Sequence, residues 1–186
     1  MFFINYFLIS FSIIGYGIIF AKIIGLKIRN FGIIGFYGIS FLTFISYVTA
    51  PFFIHNYTFN LVVLIFGLLS LLLIFKEKID FKKNFATHII IFTILIIFIL
   101  SAKTHDDFPY YHFPYTYYLT QNSMMIGLGQ FNHGFRTPSS LFYFNSLFYL
   151  PLIKYYMFNF LPILVMGFAN LIFIKKIFKY FDQKKI

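Results

Sequence analysis

Five runs of almost unbroken apolar residues decide the fold before any other feature is weighed: Phe2–Ala21, Phe31–Ile54, Tyr57–Phe75, Phe85–Ala102 and Tyr156–Ile174. About 20 apolar residues in helical form cross the hydrocarbon core of a bilayer. Backbone amides there must find partners within the protein, which favours helices. A chain with 60% hydrophobic and 11% charged residues is far below the charge of an ordinary soluble domain, about 25%. The sequence therefore specifies an all-α, polytopic transmembrane protein of about five spans. The first run lacks the basic lead and small-residue cleavage site of a signal peptide, so it is expected to remain as a span.

Charge orients these spans. Of the 15 Lys and Arg residues, 12 fall in three places: Lys22 to Arg29, "KEKIDFKK" at 76–83, and the tail "KKIFKYFDQKKI". Segments rich in Lys and Arg stay on the cytoplasmic side. The expected topology puts the N-terminus and residues 103–155 outside the cytoplasm and the C-terminus within it. The net charge of +10 is then a lipid-facing charge on cytoplasmic loops, and no nucleic-acid partner is expected. Three regions follow: four spans over 1–102, an extracytoplasmic loop over 103–155, and a fifth span with a basic tail over 156–186.

The segment "SSLFYFNSLFYLPLIKYY", Ser139–Tyr156, is apolar but short, and Pro151 and Lys154 interrupt it. A sixth span here would put the lysine-rich tail outside, against the charge rule. It is expected instead as an amphipathic helix in the outer interface, its tyrosines at headgroup depth. The serine pair Ser139–Ser140 is placed to cap its start. Gly15, Gly17, Gly32, Gly35 and Gly38 have the look of a small-residue packing face between helices.

The chemistry is concentrated in the loop. Asp106 and Asp107 are two of only five acidic residues, and His105, His112 and His133 are three of five histidines. Neighbouring carboxylates repel, which raises the proton affinity of one of them and suits a general base toward a hydroxyl. The pair has two other readings: a helix cap, with Pro109 in the first turn after Asp107, or a divalent metal site with His105 or His112. Pro109 and Pro114 each oppose an uninterrupted helix. Arg136 offers a planar fork for a phosphate. The chain has no cysteine, hence no disulfide or thiolate chemistry, and no Gly-rich phosphate loop, HExxH or nucleophile elbow.

The paired acids after a span, "DDFPYYH", followed by "GLGQFNHGFRTPSSLFYFNSLF", resemble the first large outer loop of GT-C glycosyltransferases. The likeness covers about Thr104 to Pro151 and points to an uncharacterised bacterial branch. It implies an integral protein of the bacterial plasma membrane that moves a sugar from a polyprenyl-phosphate donor to an extracytoplasmic acceptor. On that resemblance Asp106 is the catalytic base with Asp107 beside it, and Tyr111, His112, His133 and Arg136 bind substrate. His105 and Asp107 are the candidates for a metal. Because the family carries further spans beyond this loop, the resemblance implies an N-terminal portion that works with a C-terminal portion or another membrane subunit. The alternative is a non-enzymatic multi-pass subunit or a truncated relic.

Overall fold

The computed structural model of the chain describes residues 1–26, 30–76, 81–101 and 106–183. Its α-helices are α1 (Phe2–Ile23), α2 (Phe31–Thr49), α3 (Tyr57–Ser70), α4 (Phe81–Ser101), α5 (Phe113–Gln121), α6 (Ser140–Ser146) and α7 (Leu161–Gln183). Among the described residues the extended pairing is limited to one bridge between Leu150 and Lys154. The chain is an all-α polytopic membrane protein. Phe2–Ile23, Phe31–Thr49, Phe81–Leu100 and Leu161–Phe178 are long and apolar enough to cross a bilayer. The fifth expected crossing is the shorter apolar helix α3, continued by tighter 3-10 turns over Leu71–Lys76. At 1.5 and 2.0 Å per residue the two pieces together reach about 33 Å.

Small residues set the helix spacing. Gly17 faces Ile34 and Gly38 faces Ile13, so close that a Cβ on either glycine would run into the opposite backbone carbonyl. These two contacts make α1 and α2 antiparallel and closely packed, the use expected of Gly17 and Gly38. Gly15 meets Gly67 of α3, and Gly32 and Gly35 receive Phe168 of α7. On α4, His88 is fully buried, its Nε2 2.9 Å from Ser10 Oγ of α1 and its ring stacked on Phe92.

The elements sort to two ends. Phe160 packs its ring on Phe2 and Tyr6, His55 N–H donates to Leu119 O, and Met124 N–H donates to Ala50 O. Hence the start of α1, the α2–α3 connection and residues 106–160, here termed the cap, share one end. At the other end Phe31 meets Phe81, and Lys22, Lys82, Lys83, Lys175 and Lys176 are exposed.

The cap departs from expectation at Ser139–Tyr156. Ser139 does cap α6, accepting from Leu141 N–H at 3.3 Å, but α6 ends at Ser146. Instead of lying on an interface, Phe144, Leu147, Phe148, Leu150 and Ile153 enter the bundle core. Leu147 and Phe148 reach Ile13, half-way along α1, across a small cavity. The reason is in the pattern: from Phe142 to Leu150 apolar residues lie on every side, and such a stretch is buried all round, whereas Pro151, Leu152, Lys154, Tyr155 and Tyr156 are exposed. Pro151 cannot continue a helix, and Leu152 and Lys154 take left-handed φ values of 70° and 46°.

Irregular backbone at membrane depth must be satisfied by protein. Asn60 of α3 does this: its Nδ2 donates to His55 O at 2.7 Å, Ser146 O at 2.8 Å and Tyr149 O at 2.9 Å. The buried ring of His55 adds contacts from Nδ1 to Ser146 Oγ (2.6 Å) and Nε2 to Thr49 Oγ1 (3.0 Å). Ser146 Oγ also donates to Tyr143 O and Thr49 Oγ1 to Ile45 O, so each hydroxyl links the ring to a backbone carbonyl.

Candidate functional site

The segment after the paired acids forms one π-helical turn, Phe108–His112, that runs directly into α5. Pro109 and Pro114 each sit in the first turn of their piece, where a missing N–H costs nothing. The helical path thus continues through both prolines by widening, a form of turn found frequently at functional sites. Asp107 occupies the cap position of this turn, yet its side chain makes no cap hydrogen bond. Instead its Oδ2 accepts from the Tyr111 hydroxyl at 3.2 Å. Burial first, then this bond and the negative charge of Asp107, hold the Tyr111 phenol above its ordinary range. Tyr111 therefore remains a proton donor at neutral pH. Asp107 is half-buried and Asp106 is exposed.

Tyr111 and His112 form one wall of a cavity of about 800 Å³. His133, Thr137 and Ser139 make its polar rim, while Ile39 of α2 and Leu161 and Val165 of α7 give it an apolar floor at the depth of the spans. Tyr111 also packs against Gly134, where a side chain would collide with it, so the 133–137 turn and the π-helical turn form one wall. The His112 ring lies 4.9 Å from that of Phe142.

Residues that the sequence did not single out also line this space. Asn145 contributes a side-chain oxygen that is buried without a hydrogen-bond partner, an acceptor available to a bound hydroxyl. Its signal was a lone amide inside the apolar run "SLFYFNSLFYL". Thr137 and Asn159 are the other polar additions.

The predicted residues therefore divide. Tyr111, His112 and His133 come together on the cavity, and Asp107 is tied to it through Tyr111. Arg136 instead lines a second cavity of about 550 Å³ with Tyr47, Tyr115 and Met124, and its Nε donates to Gly129 O at 3.4 Å. At that cavity Tyr115 and Tyr143 hydroxyls lie 2.6 Å apart, and burial, then this bond, drives the Tyr115 phenol well above its ordinary range. His105, the metal candidate with Asp107, lies outside the described residues. Among the described residues no three His, Asp or Glu side chains gather to hold a metal.

Fold and cavity together define a class: a helical membrane protein with a cavity at one end lined by both polar and apolar side chains. The chain belongs to the family described as a domain of unknown function, DUF8201, which it matches over residues 1–186. No curated protein and no solved structure matches it.

Proposed function

We propose that the chain is the N-terminal part of a GT-C-like membrane glycosyltransferase, in which the paired-acid turn supplies the base and the adjoining cavity receives an amphiphilic substrate. The observation that supports it best is the Asp107–Tyr111 hydrogen bond on the wall of a cavity that joins lipid-depth residues to a polar rim. An acceptor hydroxyl gives its proton to Asp106 as its oxygen bonds to the anomeric carbon of the sugar. The bond from that carbon to the phosphate oxygen breaks, polyprenyl phosphate leaves, and the configuration inverts. Tyr111 fixes Asp107 beside Asp106. His112, His133 and Asn145 face the sugar. Arg136 stands on the other cavity, so the phosphate contact falls to the rim histidine or to a further subunit. In this reading the cap end faces outward from the bacterial plasma membrane, a sidedness supported by the Lys-rich opposite end.

Sugar transfer from radiolabelled polyprenyl-phosphate donor, in membranes of cells carrying the gene in its native setting, tests the proposal. Asp106→Asn lowers transfer by about 10²-fold or more, the usual loss for a general base. Unchanged transfer with both Asp106 and Asp107 replaced by Asn overturns it. A non-enzymatic subunit is favoured by one observation, the exposure of Asp106 away from the cavity lining. That reading expects no effect from either acid and stable co-purification with another integral membrane protein.

A further inference from the structure

The cap carries a second surface that the proposed reaction does not use. Among its exposed apolar side chains Ile126 is 97% accessible, Phe131 88% and Met125 61%. They project from a built loop: Met124 N–H is bonded to Ala50 O at 2.8 Å and Tyr118 hydroxyl to Ser123 O at 3.1 Å. Gly127 turns the chain at φ 94° with nothing packed over it, and Gln130 and Phe131 N–H groups close on the carbonyls of Gly127 and Leu128. The tip therefore offers apolar side chains on a turn closed by two backbone hydrogen bonds.

We propose that this loop inserts Met125, Ile126 and Phe131 into the lipid leaflet at the cap end of the bundle. The occupant is fixed by continuity with the lipid-facing surface. Tyr47 on spanning helix α2 lines the same cavity as Met125 and Ile126, and Phe44 and Val48 beside it are exposed on that helix. Phe52 and Phe53 of the adjoining turn extend the apolar band. The charge agrees at the loop itself: residues 122–138 contain no Asp or Glu, and Arg136 is their one Lys or Arg. A loop that meets phospholipid headgroups is favoured by such a balance. Phe131 and Ile126 thereby seat the Arg136 side of the loop at headgroup depth, with Tyr47 at the same level.

The chain has no tryptophan, so one introduced tryptophan reports alone. Ile126→Trp and Phe131→Trp are reconstituted in vesicles of phosphatidylcholine and phosphatidylglycerol, with and without bromine near the headgroup end of one acyl chain. Phe44→Trp gives the lipid limit and free tryptophan amide the aqueous limit. Insertion predicts blue-shifted emission and bromine quenching within about twofold of the Phe44→Trp variant, as for interfacial apolar anchors. Solvent-like emission, quenched by acrylamide and untouched by bromine, overturns the proposal. Blue-shifted emission without bromine quenching also overturns it, since the tip is then covered by protein. A variant that loses its helical circular dichroism is replaced by Met125→Trp, which carries the same expectation.

Discussion

The spanning frame and the cap are held together by opposite means. In the frame, α1 meets α2 through Gly17 and Gly38, with backbones nearly touching and few polar groups involved. Lipid tails are as apolar as leucine, so close packing of small residues is what favours helix on helix over helix on lipid. In the cap, buried apolar residues of 142–160 follow an irregular path, and single polar residues, Asn60 and His55, satisfy the carbonyls and hydroxyls along it. The frame spreads its stability over many contacts, whereas the cap adds to its apolar burial two polar side chains from the α2–α3 region.

The largest effect is expected at Asn60. Asn60→Ala leaves the carbonyls of His55 and Tyr149 without their donor, while Ser146 O keeps the Tyr149 N–H at 3.2 Å. At about 1–3 kcal/mol per orphaned group, with some repairing themselves, the loss is about 4 kcal/mol. SDS-titrated unfolding of the reconstituted protein reads the total. Hydrogen exchange locates it: amides of 147–160 lose protection while those at the α1–α2 contact keep theirs. Equal loss in both regions breaks the distinction between frame and cap.

That distinction also explains what could be read from the sequence. Four spans were legible because hydropathy over about 20 residues is a property of a window, insensitive to any one position. The glycine face was legible for the same reason, since Gly15, Gly17, Gly32, Gly35 and Gly38 recur along two segments. The role of Asn60 is not local in sequence, because its three acceptors lie 5, 86 and 89 positions away. Ser139–Tyr156 looked interfacial because Pro151 and Lys154 break it. The sequence does not display the donor at Asn60 that makes its burial tolerable. At the site, the grouping of Tyr111 with His112 followed from adjacency, while His133 and Asn145 join them only through the fold.

A second effect sharpens the comparison through pH. Burial lowers the His55 imidazole from its ordinary 6.5 to about 4. Folded, it stays neutral, with Nδ1 beside Ser146 Oγ and Nε2 beside Thr49 Oγ1. Between these values the unfolded chain binds a proton that the folded chain refuses. Stability is thus full above about pH 6.5, falls as pH drops toward 4, and levels below, a total of about 3 kcal/mol. Unfolding curves measured across this window show the decline, and His55→Gln flattens it. A decline of the same size in His55→Gln removes the assignment to this latch.

The smallest effect of the three is expected where the frame is tightest. At Gly38 an added methyl group would collide with the carbonyl of Ile13, a backbone atom that cannot rotate aside. Overpacking of this kind costs about 2 kcal/mol when helices can part slightly. Gly38→Ala therefore lowers SDS resistance less than Asn60→Ala, although the collision is with backbone and Asn60 is a single side chain. The reason is that α1 and α2 share their remaining length, including Gly17 against Ile34, and distribute the shift. Among the described residues the carbonyls of His55 and Tyr149 have no second donor in place of Asn60. If Gly38→Ala proves the more damaging change, the α1–α2 contact rather than the Asn60 hub is the point on which the cap depends. Leu147 and Phe148 would then lose the seat beside Ile13 and Leu42 that this contact builds.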